Sequence, residues 1–459
     1  MSTVPALSPA ATLRGLCDGR VHLPGDPGYD AARSPWNVAV DQRPAAVAVP
    51  HTAAEVQAVV RAAAAVGLRV APQSTGHAAG PLAERGLDGT VLVRLAELTG
   101  VTVDADARTA RVVGGTLWQD VVAAAAPYGL TALHGSSPDV AVAGYALGGG
   151  LSFYARQHGL ATNSIRAVEI VTADGSLVRA DASTEPELFW AVRGGGGNLG
   201  VVVAIEIGLL PIPDVVAGML LWDAAHADAV VRAWARWTRE VPDSVTTSLR
   251  VMSFPPLPDL PPFLSGRQVV VVDGAVLEAD DRAAELLAPL RALAPEMDTF
   301  TRIPSAGVLG VHMDPPNPTP VVSDHAVLRE VTDETVTALL SVVGPATGSS
   351  LLFAELRHLG GALSRPAEGA GALPSLYGGY ALFCVAIAPF PEAAEQGLAD
   401  AAAVVRALAP WSTATRLLNF TEHRVDVSSG YDGDDWARLC TVRDRVDPAR
   451  FFQANHSLD

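Results

Sequence analysis

The sequence predicts an α+β protein of two domains. Three observations carry that reading. The chain has 459 residues, 49% of them hydrophobic, which is more than one ordinary core accommodates. Residues 45–213 alternate short apolar strands with single helices and glycine-rich turns. After Pro213 the texture changes to longer strand-like runs separated by helices rich in alanine and acid.

In chain order, "AAVAVP" (45–50) reads as a strand ending at Pro50. "TAAEVQAVVRAAAAVG" (52–67) reads as a helix. Thr52 caps it, Glu55 stands at the third helical position and Gly67 stops it. "LRVAPQ" and "TVLVRL" are strands, so the intervening "STGHAAG" (74–80) is a strand-to-loop junction. Residues 110–129 give a strand, a turn and a helix, followed by a glycine-rich tract over 134–165. Residues 166–180 form a hairpin turned at Asp174-Gly175. Residues 186–213 give a helix, a second glycine run and a long strand. Strand-like segments follow at 244–254, 267–277, 349–358 and 380–389, and "FPPLPDLPPFL" (254–264) reads as a rigid surface loop. The final stretch is an amphipathic helix, an Asp-Pro step and an extended tail.

Composition narrows the chemistry. The net charge is −17 and no basic cluster occurs. Such a surface repels a phosphate backbone, so nucleic acid is not an expected partner. The chain has no lysine, which excludes a lysine Schiff base and a phosphate-loop lysine. Cys17, Cys384 and Cys440 lie far apart and none is in a CxxC. Neither a disulfide framework nor a zinc site is indicated, as suits a reducing compartment. The N-terminal segment lacks a basic start followed by an apolar run, and no apolar stretch approaches membrane-spanning length. The expectation is a cytoplasmic protein without metal or membrane partner, its oligomeric state unread.

Three glycine-containing loops, at 74–80, 144–150 and 194–200, suggest one extended pyrophosphate-containing cofactor, because glycine lets backbone N–H groups approach phosphate. His77 stands alone at the tip of the first. It reads as a polar turn residue, as a base or ligand lacking partners nearby in sequence, or as an imidazole covalently attached to a cofactor.

Several motifs together resemble the FAD-linked oxidases of the vanillyl-alcohol oxidase and berberine bridge enzyme group. "PQSTGHAAG" resembles that family's R-S-G-G-H loop, and the opening around Trp36, Asn37 and Pro44 is also similar. "GSSPDVAVAGYALGGGLSFYARQHGLATNSI" resembles its second flavin loop, "PELFWAVRGGGGNLGVVV" its second glycine signature and "RDRVDPARFFQANHSL" its ending. The resemblance implies a p-cresol methylhydroxylase-type FAD-binding domain over 1–212, completed by 413–459. It implies a substrate domain over 213–412, whose antiparallel sheet, covered by helices, lies over the isoalloxazine ring. FAD would be bonded to His77 through the 8α-methyl carbon. Gln73, Ser74, Thr75, Gly76 and Ala78 would bind it from the first loop. Ser136, Ser137, Pro138, Val140, Ala141, Gly144, Gly148 and Gly149 would bind it from the second, with Asn163, Val201, Asn419 and Asn455. The implied reaction is oxidation of a small organic molecule at a C–H beside O or N, with hydride to flavin N5 and reoxidation by O2. The alternatives are a dehydrogenase using another acceptor, an NADPH-dependent reductase of the same fold, against which His77 argues, and a non-catalytic ligand-binding flavoprotein.

Three departures matter. Ser137 occupies the place of the cysteine of doubly attached members; a hydroxyl is a far poorer nucleophile than a thiolate, so a single bond through His77 is expected. Val140 stands where a small residue admits O2 to the ring. Phe420 stands where plant members have a catalytic tyrosine, and a phenyl ring accepts no proton. The base must then come from elsewhere: Glu355 first, His358 and Tyr380 next. Strand alternation places Glu355 and Arg357 on one face and His358 on the other. A Glu355–Arg357 surface pair is the competing reading.

Overall fold

The structure is a computed structural model and describes residues 8–459 apart from 257, 259 and 346. Its first sheet is small and mainly parallel. Strand β1 (Ala46–Ala48) leads into helix α1 (Ala53–Ala65), then β2 (Arg69–Gln73) and β3 (Thr90–Arg94). β3 lies between β1 and β2, paired parallel to both, and the short strand Val21–His22 pairs antiparallel to β1. α1 starts where the sequence predicts: the Thr52 hydroxyl accepts from Glu55 N, and the Glu55 carboxylate accepts from Thr52 N. That reciprocal cap satisfies two of the N–H groups a helix start leaves unpaired.

The second sheet is antiparallel. It is built from β4 (Val101–Asp104), β5 (Thr109–Val113), β6 (Ile165–Val171), β7 (Leu177–Asp181) and β8 (Val201–Gly208), in the order β4-β5-β8-β6-β7. Helix α2 (Trp118–Ala125) follows β5, and α3 (Pro186–Gly195) precedes β8. Val56, Val59 and Val60 of α1 share a core with Val70 and Val91 of the first sheet and with Val171, Val201 and Val203 of the second. One face of α1 is thereby buried against both sheets, while Ala54 and Arg61 on the other face are exposed.

The third sheet is long and antiparallel. β9 (Asp214–Asp223), β10 (Val245–Ser253), β11 (Gln268–Val276), β12 (Val321–Leu328), β13 (Phe353–His358) and β14 (Tyr380–Ile387) run in the order β9-β11-β10-β13-β14-β12. Short strands Met297–Asp298 and Thr301–Pro304 pair with β9. The sequence reading singles out four of these strands; β9 and β12 lie where it names none. Helices α4 (Ala227–Trp237), α5 (Asp280–Arg291) and α6 (Asp333–Val343) lie between its strands in sequence, and α7 (Pro391–Ala407) follows β14. Alternation along the strands sends Leu249, Val251, Val270, Val272, Ala354 and Leu356 into one apolar core with those helices. The opposite face carries Arg250, Asp273, Glu355 and Arg357, which are cross-strand neighbours through Arg250↔Glu355 and through Ser248↔Arg357 and Ser248↔Asp273. The proline-rich loop packs on an apolar part of that same face through Phe254, Phe263 and Leu264.

Helix α8 (Gly433–Val446) ends at Asp447, and the tail then returns to the first sheet, where Phe452 bridges parallel to Val70 of β2. Val70 N donates to Phe451 O, and Gln453 N donates to Val70 O.

Candidate functional site

The first loop leaves the end of β2 and turns back at once. Gly76 makes the turn at φ +80°, and a Cβ there would lie 2.7 Å from Pro35 Cβ, so both conformation and space require glycine. Gln73 is buried and exchanges two amide bonds with Gln42. The Ser74 hydroxyl donates to Gly114 O at 2.9 Å. These anchors leave His77 stacked on Trp36, ring centroids 4.4 Å apart and planes 17° apart. Its Nδ1 meets the Thr75 hydroxyl at 2.9 Å, whereas Nε2 is buried without a hydrogen-bond partner. Burial depresses the imidazole pKa to about 4, against the pull of Asp139 and Asp314. The ring is therefore neutral and nucleophilic at pH 7. Ala78 completes the turn, half-buried.

The second loop is pinned to the start of α2. Trp118 N donates to Val140 O and Gln119 N to Pro138 O, which gives helix-start N–H groups their acceptors. Ala141 bridges to Leu117 and is buried. The loop touches the first loop through Asp139, a residue the sequence reading does not name. Its carboxylate accepts from the Trp36 indole and from the Ser137 hydroxyl, and Oδ1 lies 3.8 Å from His77 Nε2. Ser136 faces the other way and donates to Asp314 at 2.8 Å.

The glycine tract forms the floor of a cleft lined by Gly148, Gly149, Gly194, Leu373, Asn419, Phe420 and Tyr431 among others. The Asn419 amide donates to Tyr145 O at 3.0 Å, and its Oδ1 lies 2.1 Å from where a Gly148 Cβ would stand. Gly144 has open space at its Cβ position. Asn163 donates to Pro374 O at 3.2 Å, with its own Oδ1 buried and unpartnered. The Val201 side chain is buried in the core beneath α1. Asn455 is half-buried in the returning tail.

Above this floor the third sheet presents its charged face. Glu355 is fully buried, and Arg357 Nε donates to its Oε1 at 2.8 Å. The two residues pair, but inside the molecule and not at a surface. His312, missing from the sequence reading, stands beside them. Its Nε2 lies 3.6 Å from Glu355 Oε1 and 3.4 Å from Arg357 Nη2. Its Nδ1 meets Asp273 Oδ2 at 3.0 Å, and Arg250 pairs with the same carboxylate oxygen. Burial pushes the Asp273 carboxyl up, but His312 and Arg250 hold it below the usual carboxylate range. Glu355 Oε2 remains buried without a partner. Phe420 packs edge-on to Phe383 and lies under the Arg357 guanidinium, 5.1 Å from its carbon. His358 and Tyr380 lie on the helix side of the sheet, stacked on each other, with His358 bonded to Arg156 and Tyr380 to the Thr238 hydroxyl. Their side chains are thus separated from the Glu355 face by the sheet itself. A second small cavity is lined by Ser136, Ser152, Thr246, Thr247, Ser248 and Arg357, with His358 and apolar neighbours. Among the described residues, no group of three or more His, Cys, Asp or Glu is placed to hold a metal ion.

A family model described as an FAD binding domain matches residues 44–181, the stretch that holds both loops. Residues 44–181 are an FAD binding domain. The chain is 37% identical over 205 residues to (R)-6-hydroxynicotine oxidase of Paenarthrobacter nicotinovorans, covering 44% of each protein. It is 36% identical over 205 residues to xylooligosaccharide oxidase of Thermothelomyces thermophilus, covering 44% of this chain and 41% of that one. These alignments span less than half the length of the curated relatives. Over the whole fold, the chain is similar to the crystal structure of 6-hydroxy-D-nicotine oxidase from Arthrobacter nicotinovorans: TM-score 0.83, 25% identity, 96% of this chain and 97% of that one. The FAD binding domain contributes an orphaned imidazole nitrogen, and of its second-loop glycines Gly144 has open space at its Cβ position, while Gly148 and Gly149 meet Asn419 and Leu373. The unpartnered nitrogen fits a covalently held flavin.

Proposed function

We propose that this chain is an FAD-dependent oxidase of a small polar organic molecule, with FAD held covalently through His77. The observation that carries the reading is His77 itself: a neutral ring, clamped by Trp36 and Thr75, whose Nε2 is buried with no partner. Residues 1–212 and 413–459 hold the cofactor, and 213–412 supply the substrate face. Bound FAD supplies a hydride acceptor and passes the electrons to O2, and the protein positions the reactants. The small side chain of the half-buried Val140 in the second loop supports access of O2 to the ring. Glu355 takes the proton from the substrate O–H or N–H, with Arg357 and His312 holding the carboxylate in place. The hydroxyl-rich cavity beside Arg357 supports a polar substrate. The three free cysteines suit the cytoplasm.

Denaturing electrophoresis tests the attachment. Wild type should keep its flavin fluorescence, and His77→Ala should retain FAD that washes out on denaturation. Anaerobic mixing with a panel of small alcohols, sugars and cyclic amines should bleach the flavin, and admitting air should restore its colour with release of H2O2. A flavin that no member of the panel bleaches would leave a ligand-binding flavoprotein. Slow recovery in air would leave a dehydrogenase.

A further inference from the structure

The contacts around His77 contain a carboxylate that cofactor binding alone does not require. Asp139 lies on the second loop, yet three groups converge on it: the Trp36 indole N–H, the Ser137 hydroxyl and the edge of His77. The indole fixes the plane of the imidazole. Thr75 occupies Nδ1, so the nitrogen left for bonding is Nε2, and Asp139 Oδ1 is 3.8 Å from it. The other charges acting on the ring are Asp314, of the same sign, and Arg94, of the opposite sign.

Attack by a neutral imidazole creates a cation in a buried site, which is costly unless a counter-charge is already present. We propose that Asp139 is the positioning residue for flavin attachment: its carboxylate stabilises the imidazolium that forms as His77 Nε2 bonds the 8α-methyl carbon. The inference rests on the reading that His77 carries the flavin. In the step, one C–H of the methyl group breaks and the N–C bond forms. The ring system takes up two electrons, and the methyl proton and the imidazole proton complete its reduced form. O2 then accepts the two electrons and two protons and leaves as H2O2. Ser137, in the position next to Pro138, orients the carboxylate by its hydroxyl bond and forms no bond to the flavin.

The test uses the full chain expressed with FAD, as wild type, Asp139→Asn, Asp139→Glu and Asp139→Ser. Bound flavin is measured by absorbance of the native protein, and attached flavin by in-gel fluorescence after denaturation. Wild type should show attached flavin. Asp139→Asn and Asp139→Ser should bind FAD but lose attachment by about tenfold or more, and Asp139→Glu should restore most of it. A role confined to loop packing would not be rescued by restoring charge on a longer side chain. Full attachment in Asp139→Asn overturns the proposal. So does loss of all FAD binding in both neutral variants, which would make Asp139 a structural member of the site. Wild type without attached flavin overturns the His77 reading instead, and is distinguished from the other outcomes by that one lane.

Discussion

At the residue scale, Glu355 has two roles to separate. As the proposed base it would touch substrate; as a buried partner it neutralises Arg357. Glu355→Gln keeps the shape and removes both basicity and charge. The rate of flavin reduction should fall by roughly two to four powers of ten, measured by anaerobic stopped flow with saturating substrate. The same change leaves Arg357 without its counter-charge, so a loss of about 3 kcal/mol in urea unfolding is expected alongside. Destabilisation with an unchanged reduction rate would leave Glu355 as an ion-pair partner only. Glu355 and Arg357 were legible because they alternate within one short strand. Asp273 and Arg250 offered a fainter signal, each a lone charge inside an otherwise uncharged strand. His312, Asp139 and Trp36 offered none as a group: they lie in separate loops, and only the fold brings them to their partners.

At the element scale, the tail depends on α8. Arg443 is fully buried, donates to Phe452 O at 2.8 Å and pairs with Asp447 at 3.1 Å. The Asp447 carboxylate accepts from Phe451 N and Phe452 N. This pair sets the chain beyond Asp447 at the angle that lays Phe452 beside β2. Arg443→Met keeps much of the apolar stem but leaves Asp447 uncompensated. Thermal melting should show a loss of about 3 kcal/mol, and limited proteolysis should cut within 447–459 before it cuts elsewhere. Equal cleavage of variant and wild type would mean that the Phe452 bridge holds without the ion pair. The helix and the Asp-Pro step were readable from sequence, as were most strands of the first two sheets, where caps, glycine stops and the Asp174-Gly175 turn bound each element. The β9 and β12 strands were not: each follows a proline-containing stretch that reads as loop, and neither is closed by a glycine or a hairpin turn.

At the scale of the whole molecule, buried titrating groups set a window of stability. Burial depresses His134 and His456 to about 4 and His325 to about 3, with Arg416 adding to the shift of His325. A histidine held neutral in the fold gains protons more readily when unfolded. Its contribution is therefore complete above about pH 6.5 and is lost as pH falls towards 4. Glu422 works in the opposite direction. Burial raises it to about 7, against its hydrogen bond from Asn37. Its contribution is complete below its ordinary value and is lost as pH rises through 7. Melting temperature should peak between about pH 6 and 7. Glu422→Gln should remove its opposing slope between pH 4.5 and about 7, so that stability rises more steeply with pH on the acid side and the decline near pH 7 is flattened. A variant as alkali-sensitive as wild type would place the cause in another group.

The Phe452 bridge also bears on how the protein is made. A ribosome delivers the histidine loop early, and the backbone that flanks β2 only after the whole third sheet has emerged. Until then the nascent chain holds a half-built pocket with a bare strand edge, which is a template for wrong pairing. Cofactor loading is therefore expected only after residues 447–459 have emerged and Phe452 has closed on β2.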